Sequence, residues 1–170
     1  MAAFDIRPVE ASQADAVLAL YQATAAAPGG LARRPDEIDL AYVRGFLAKA
    51  SKDGVTLGAW DRERLCGEIH AWRIGPDQFA HVLSDLTVAV EPDYQGKGVG
   101  SALFRALFAA AAGLTPRIVR IELAAREGNA SAIALYQRLG FVIDGRFEKR
   151  VRMPDGAFEA DIAMGLILPA

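Results

Sequence analysis

The chain has 170 residues, enough for one domain with a substantial core, and 52% of them are apolar against 24% charged. That balance excludes a disordered chain, and a formal net charge of −2 offers no whole-chain attraction for nucleic acid. Cys66 is the single cysteine, which excludes an internal disulfide framework and a cysteine-based zinc site, so no metal is expected.

The opening Met-Ala-Ala-Phe-Asp-Ile-Arg lacks the apolar stretch of a signal peptide, and the alanine-rich runs 23–27 and 106–112 are too short to cross a bilayer. A cytoplasmic protein without a membrane partner is expected. Charge is uneven: from Arg117 to Arg152 there are eight basic residues against four acidic ones. That segment is either a positive field for a polyphosphate or acidic ligand, or simply a solvated face.

Phe4-Asp5-Ile6-Arg7 alternates as a short strand ended by Pro8. Ser12 has the character of a helix N-cap, with Asp15 three residues on and Val17, Leu18, Leu20 and Tyr21 as the apolar stripe. Pro28-Gly29-Gly30 stops that helix, and a loop with Arg33 and Arg34 follows. Leu40, Val43, Phe46 and Leu47 mark a second helix. Val55–Trp60 and Leu65–Trp72 read as a hairpin across residues 61–64. After a loop at 77–81, Leu83–Val90 is a strand that runs into the turn 91–100 and a helix from Ser101 to Ala112. Val119–Ala124 is the next strand and Asn129–Leu139 the next helix, with Gly140 as its stop. Phe141-Val142-Ile143 opens another strand, and Phe158–Leu168 closes the chain beyond the turn Pro154-Asp155-Gly156. This order defines an α+β fold in one domain over 1–170. Its mixed, mostly antiparallel sheet of about seven strands is flanked by about four helices.

The turn Gln95-Gly96-Lys97-Gly98-Val99-Gly100 carries the most chemistry. A strand that passes through glycines into a helix exposes backbone N–H groups at the positive end of the helix dipole, which is how anions such as phosphate are held. A side chain there would block close approach, and positive φ is easiest for glycine. The spacing rejects a P-loop, because Lys97 is followed by Gly98 rather than Ser or Thr, and rejects Gly-x-Gly-x-x-Gly, because position 101 is Ser.

What fits is Gln-x-x-Gly-x-Gly at Gln95, Gly98 and Gly100. It resembles the acyl-CoA pyrophosphate loop of the GNAT superfamily of N-acetyltransferases. A second segment agrees with it: Asn129, Ala132, Leu135, Tyr136, Gly140 and Phe141 resemble the family's Asn-x-x-Ala-x-x-Leu-Tyr-x-x-x-Gly-Phe. The two matches together cover about residues 82–142, and the order of elements is also that of the family. Read by itself, the helix over Asn129–Leu139 has Ile133, Leu135, Tyr136 and Leu139 as an apolar stripe and Asn129 as its cap.

The resemblance implies a cleft where the fourth and fifth strands splay apart. In it the backbone of Val88, Ala89 and Val90 would meet the pantetheine arm, with an N–H near Val88 facing the thioester oxygen. Gln95, Gly96, Lys97, Gly98, Val99, Gly100 and Ser101 would hold the pyrophosphate, and Asn129 would touch the arm. The Tyr136 hydroxyl would protonate the departing thiolate. The implied activity is direct transfer of acetyl from acetyl-CoA to a primary amine, most simply that of a small molecule such as an amino acid. A protein or peptide acetyltransferase, or a silent CoA-binding domain, is the alternative.

The general base is the open point. Asp85 and Glu122 are the leading candidates, with Glu68, His70 and His81 behind them. Family members with a strand carboxylate carry it where this chain has Ser84, so Asp85 would face the wrong way unless a bulge intervenes. Arg33 and Arg34 could hold an acceptor carboxylate. The final strands could pair two copies into a homodimer.

Overall fold

The computed structural model describes residues 4–169. Within them the chain forms β1 (Asp5–Pro8), α1 (Ala14–Ala26), α2 (Leu40–Asp53), β2 (Gly54–Asp61), β3 (Arg64–Trp72), β4 (Val82–Val90), α3 (Val99–Ala112), β5 (Arg120–Arg126), α4 (Ala130–Arg138), β6 (Val142–Arg152) and β7 (Phe158–Ile167). The strands make one seven-stranded sheet in the order β1-β2-β3-β4-β5-β7-β6. Every neighbouring pair is antiparallel except β4 and β5, which run parallel.

Alternation along the strands sends apolar side chains to both faces of this sheet. Ile69, Ala71 and Leu83 lie with Leu103, Phe104 and Leu107 of α3 in one buried layer. Trp60, Leu65 and Ala89 lie with Val17, Tyr21, Val43, Phe46 and Leu47 of α1 and α2 in the other. Each such buried Leu, Val or Phe stabilises the fold by about 1.5–3 kcal/mol. The sheet is therefore clamped from both sides, and β4 crosses the middle.

Some boundaries differ from expectation. Ser12 is not the cap of α1; it lies inside a 3-10 turn, Ala11–Gln13, and the Glu10 N–H donates to Gln13 Oε1 at 2.9 Å. The Gln side chain reaches back to the N–H that a serine at position 12 cannot. Asp15 sits in the first turn of α1, where the dipole favours it. Pro8 belongs to β1, an edge strand, where a missing N–H costs little. The third helix starts at Val99, two residues before Ser101, because Gly98 already occupies the left-handed cap position. Gly140 ends α4 with φ +98°, as its place in the sequence requires.

Candidate active site

The nine residues of β4 pair with β5 only at Val82↔Arg120 and Leu83↔Ile121. On the other side β4 stays with β3, but the register slips: His70 faces Thr87, and the next pair is Trp72↔Ser84. Two residues on β4, Asp85 and Leu86, thus oppose one on β3. This bulge has Asp85 at φ +49°, in the left-handed region that is uncommon for non-glycine residues and that Asp tolerates better than most. A bulge bends its strand, and from Ser84 onward β4 has no ladder partner on β5.

The Glu91 N–H donates to Cys66 O at 3.0 Å, which sets the alternation of the β3–β4 ladder. Ala89 and Thr87 then turn their backbone groups to β3, and Val88 and Val90 turn theirs to the gap. The Val90 carbonyl accepts from Thr24 Oγ1 at 3.5 Å and from Gln95 Nε2 at 3.3 Å. The side chain of Ala89 is sealed against α1 and α2.

At the end of the gap lies the glycine turn. Gly96 and Gly98 have φ of +73° and +87°, and a Cβ on either would meet nothing within 4 Å, so this side of the turn is open. The first helical bond of α3 is Ala102 N–H to Gly98 O at 3.0 Å. Among the described residues, the N–H groups of Gly96, Gly98, Val99, Gly100 and Ser101 donate to no protein acceptor. Five free donors at the start of a 14-residue helix form an anion cradle. At Gly100 a Cβ would come 3.4 Å from the Leu135 side chain of α4, an ordinary packing contact. The Val99 side chain is in the core, Ser101 is half-buried, and the Lys97 ammonium lies 5.2 Å over the Tyr94 ring.

From α4, the Tyr136 ring packs against Phe104 and Phe141, with centroids at 5.5 and 6.0 Å. Burial pushes its phenol up to about 12, so the hydroxyl keeps its proton at neutral pH. Among the described residues no protein group hydrogen-bonds that hydroxyl. Asn129 caps α4 by accepting from Ala132 N–H at 3.3 Å, and its Nδ2 donates to Gly29 O at 3.4 Å.

On the α1–α2 face of the sheet a cavity of about 810 Å³ opens beside the gap, and Asp85, Glu122, His70, Arg33, Lys49 and Tyr42 are among its lining residues. Glu122 accepts from Arg120 Nε at 2.6 Å and from Ser84 Oγ at 3.4 Å, so it bridges β5 to β4 where they part. Arg120 also pairs with Asp144, and the two carboxylates hold its proton more tightly. The two arginines of the loop are unlike. Arg33 lies 4.2 Å over the Tyr42 ring and forms no ion pair among the described residues, whereas Arg34 is held by Asp36 at 3.0 Å outside the cavity.

His81 is exposed at the far end of β4 and does not line this cavity. Cys66 is buried, donates to Ala59 O at 3.1 Å, and has its thiol pushed up by burial, which makes it a poor nucleophile. Glu68 and His70 are fully buried with Tyr21 and Thr56. The pair was accessible to sequence reasoning, since residues two apart on one strand share a face, but Tyr21 and Thr56 come from other elements and had no such signal. Among the described residues, no group of His, Cys, Asp and Glu could hold a metal ion, and no helix is long and apolar enough to cross a membrane.

An open sheet with a parted parallel pair, and a glycine cradle at the mouth of the split, define an acyl-CoA-dependent transferase. The family model of the acetyltransferase (GNAT) family matches residues 17–141, and the chain belongs to that family. It is an acetyl-CoA-dependent N-acetyltransferase. Among solved structures, the GNAT-family acetyltransferase of Streptococcus pneumoniae is 23% identical, with a TM-score of 0.87 over 98% of this chain and 100% of that one. The ribosomal-protein-alanine N-acetyltransferase of Brucella melitensis is 24% identical, with a TM-score of 0.83 over 96% and 99%. A phosphinothricin acetyltransferase of Sinorhizobium meliloti, solved in complex with AcCoA, is 17% identical, with a TM-score of 0.84 over 97% and 88%. Among curated proteins none matches the chain.

Proposed function

We infer that the protein, as one domain over its 170 residues, acetylates the primary amine of a small molecule that also carries a carboxylate, an amino acid or a near relative. The observation that carries this reading is the cavity of about 810 Å³ with an ion-pair-free Arg33 among its lining residues and the carboxylates of Asp85 and Glu122 beside the strand split. An acceptor carboxylate pairs with Arg33, and its ammonium is drawn toward the acids.

The donor sits in the gap. The free backbone N–H groups of Gly96, Gly98, Val99, Gly100 and Ser101 take the pyrophosphate, with Gln95 bracing the turn and Lys97 at its rim. The backbone of Val88, Ala89 and Val90 lines the pantetheine arm, and Asn129 contributes its second amide N–H. The Val88 N–H polarises the thioester carbonyl, the amine attacks directly in a ternary complex, and Tyr136 gives its proton to the leaving thiolate. The buried free thiol of Cys66 suits the cytoplasm. Exposed Val142, Ile143 and Phe147 on the edge strand β6 suit pairing with a second copy of this chain.

Two structural relatives are named for ribosomal-protein alanine acetylation and two for phosphinothricin, so peptide N-termini are the second reading. Thiol release from acetyl-CoA across free amino acids, other small amines, N-terminal peptides and lysine peptides tests both. Turnover of free amino acids with at least tenfold higher kcat/KM than peptides is expected. Preference for peptides overturns the small-molecule reading, and acetyl-CoA binding without turnover of any amine overturns the enzymatic one.

A further inference from the structure

Behind His70, which lines the cavity, lies a buried polar cluster that the reading above leaves unused. Glu68 is 0% exposed and His70 1%. The Tyr21 hydroxyl of α1 donates to Glu68 Oε2 at 2.5 Å, and the Thr56 hydroxyl of β2 donates to Glu68 Oε1 at 3.0 Å. His70 Nδ1 lies 3.1 and 3.2 Å from the two carboxylate oxygens, and 3.2 Å from the Tyr21 oxygen. A carboxylate that already accepts from two hydroxyls has only acceptor sites to offer a third neighbour. Nδ1 therefore carries the proton and donates it, and the lone pair of the imidazole is on Nε2.

Nε2 has no protein partner among the described residues, yet it is not one of the sealed, unpaired side-chain atoms, which are Trp60 Nε1 and Glu91 Oε2. His70 lines the cavity. The ring cannot turn away, because it is stacked between Phe46 at 4.1 Å and Trp72 at 5.4 Å. Its register partner is Thr87, next to Val88, whose backbone faces the gap. His70 and Thr87 line the same cavity as Ser84, Asp85 and Glu122 at the strand split, so an amine seated in that cavity meets the imidazole directly or through one water.

We propose that His70 is the catalytic base that removes the proton from the acceptor ammonium, with Glu68 as its positioning residue and Tyr21 and Thr56 as the donors that fix Glu68. This rests on the acetyl-transfer reading. The acceptor enters as an ammonium with three N–H bonds and leaves as an amide with one. His70 Nε2 takes the first proton and returns it to solvent. The N–C bond forms as the C–S bond breaks. The second proton is shed from the attacking nitrogen and replaces the one that Tyr136 gives to the thiolate. Asp85 and Glu122 then serve to attract the ammonium: Glu122 is committed to Arg120 and Ser84, and Asp85 is exposed on the bulge.

Several charged or titratable groups bear on the imidazole. They are Glu68 on its own strand, Tyr21 on α1, Tyr42 and Lys49 on α2, Asp85 on β4, Glu122 with Arg120 on β5, Asp144 on β6, and Arg33 in the loop. Glu68 alone touches the ring through a charged group. Glu68→Gln keeps the size of the side chain but removes the carboxylate that accepts from Nδ1, and is expected to lower kcat while KM for the acceptor changes little. His70→Gln and His70→Ala are expected to lose about 10²–10⁴-fold in kcat while acetyl-CoA affinity by calorimetry stays within about twofold. Added imidazole partly restores His70→Ala, which a packing role does not allow.

Three results overturn the proposal with the transferase intact: undiminished kcat in His70→Gln, undiminished kcat in Glu68→Gln, or no rescue of His70→Ala while it still binds acetyl-CoA. A wild type that binds acetyl-CoA but acetylates no amine overturns the underlying reading as well.

Discussion

Gly98→Glu tests the anion cradle most directly. Gly98 sits at φ +87° with open space where its Cβ would be. A residue with a side chain is therefore strained at the backbone but clashes with nothing, at about 1–2 kcal/mol for the left-handed conformation. A domain of this size loses about 2–4 °C of Tm per kcal/mol, so Gly98→Ala should melt about 2–8 °C lower. Glu adds a charge of the wrong sign. Two like charges about 4 Å apart repel by about 4 kcal/mol at a surface-like effective dielectric, which is roughly a thousandfold in Kd. Calorimetric titration with acetyl-CoA should show Gly98→Ala within about tenfold of wild type and Gly98→Glu weaker by a further two to three orders of magnitude. The extra loss should shrink with salt, because the screening length falls from about 10 Å at 0.1 M to about 3 Å at 1 M. If Gly98→Glu binds acetyl-CoA as well as Gly98→Ala does, the free N–H groups of this turn do not hold the pyrophosphate.

Tyr136→Phe should lower kcat about 10²–10⁴-fold and leave acetyl-CoA affinity unchanged, read by thiol release and calorimetry. With a folded phenol at about 12 against about 10 unfolded, the folded state holds the proton longer. Stability from Tyr136 is therefore full below pH 10 and is lost between about pH 10 and 12, a difference of about 3 kcal/mol that Tyr136→Phe should abolish in alkaline denaturation. Tyr21→Phe removes a donor from the sealed Glu68 carboxylate and should cost about 1.5–3 kcal/mol in urea denaturation with an unchanged m-value. Arg33→Ala should raise KM for carboxylate-bearing amines at least tenfold with little effect on kcat, while Arg34→Ala, already paired with Asp36, should change neither.

What could be read from sequence was local. The glycines at 96 and 98, the Asn129 cap and the Gly140 stop are each decided by a few neighbouring residues, because a turn or cap needs a particular φ or a side-chain oxygen at one position. The element order followed from short-range periodicity in the same way. Register and partnership were not legible. Whether Asp85 turns toward the cavity depends on the slip between Thr87 and Ser84 against β3, a pairing with a residue far along the chain. Only the assembled sheet separates β4 from β5 after Leu83, ties Glu122 to Arg120, and leaves Arg33 without the ion pair that occupies Arg34. The cluster around His70 is the clearest case. Tyr21, Thr56, Glu68 and His70 come from a helix and two strands, and nothing short of their packing reveals that one carboxylate gathers three donors. Side-chain chemistry is written in the chain residue by residue, but a proton path depends on distances that arise when remote segments bury each other.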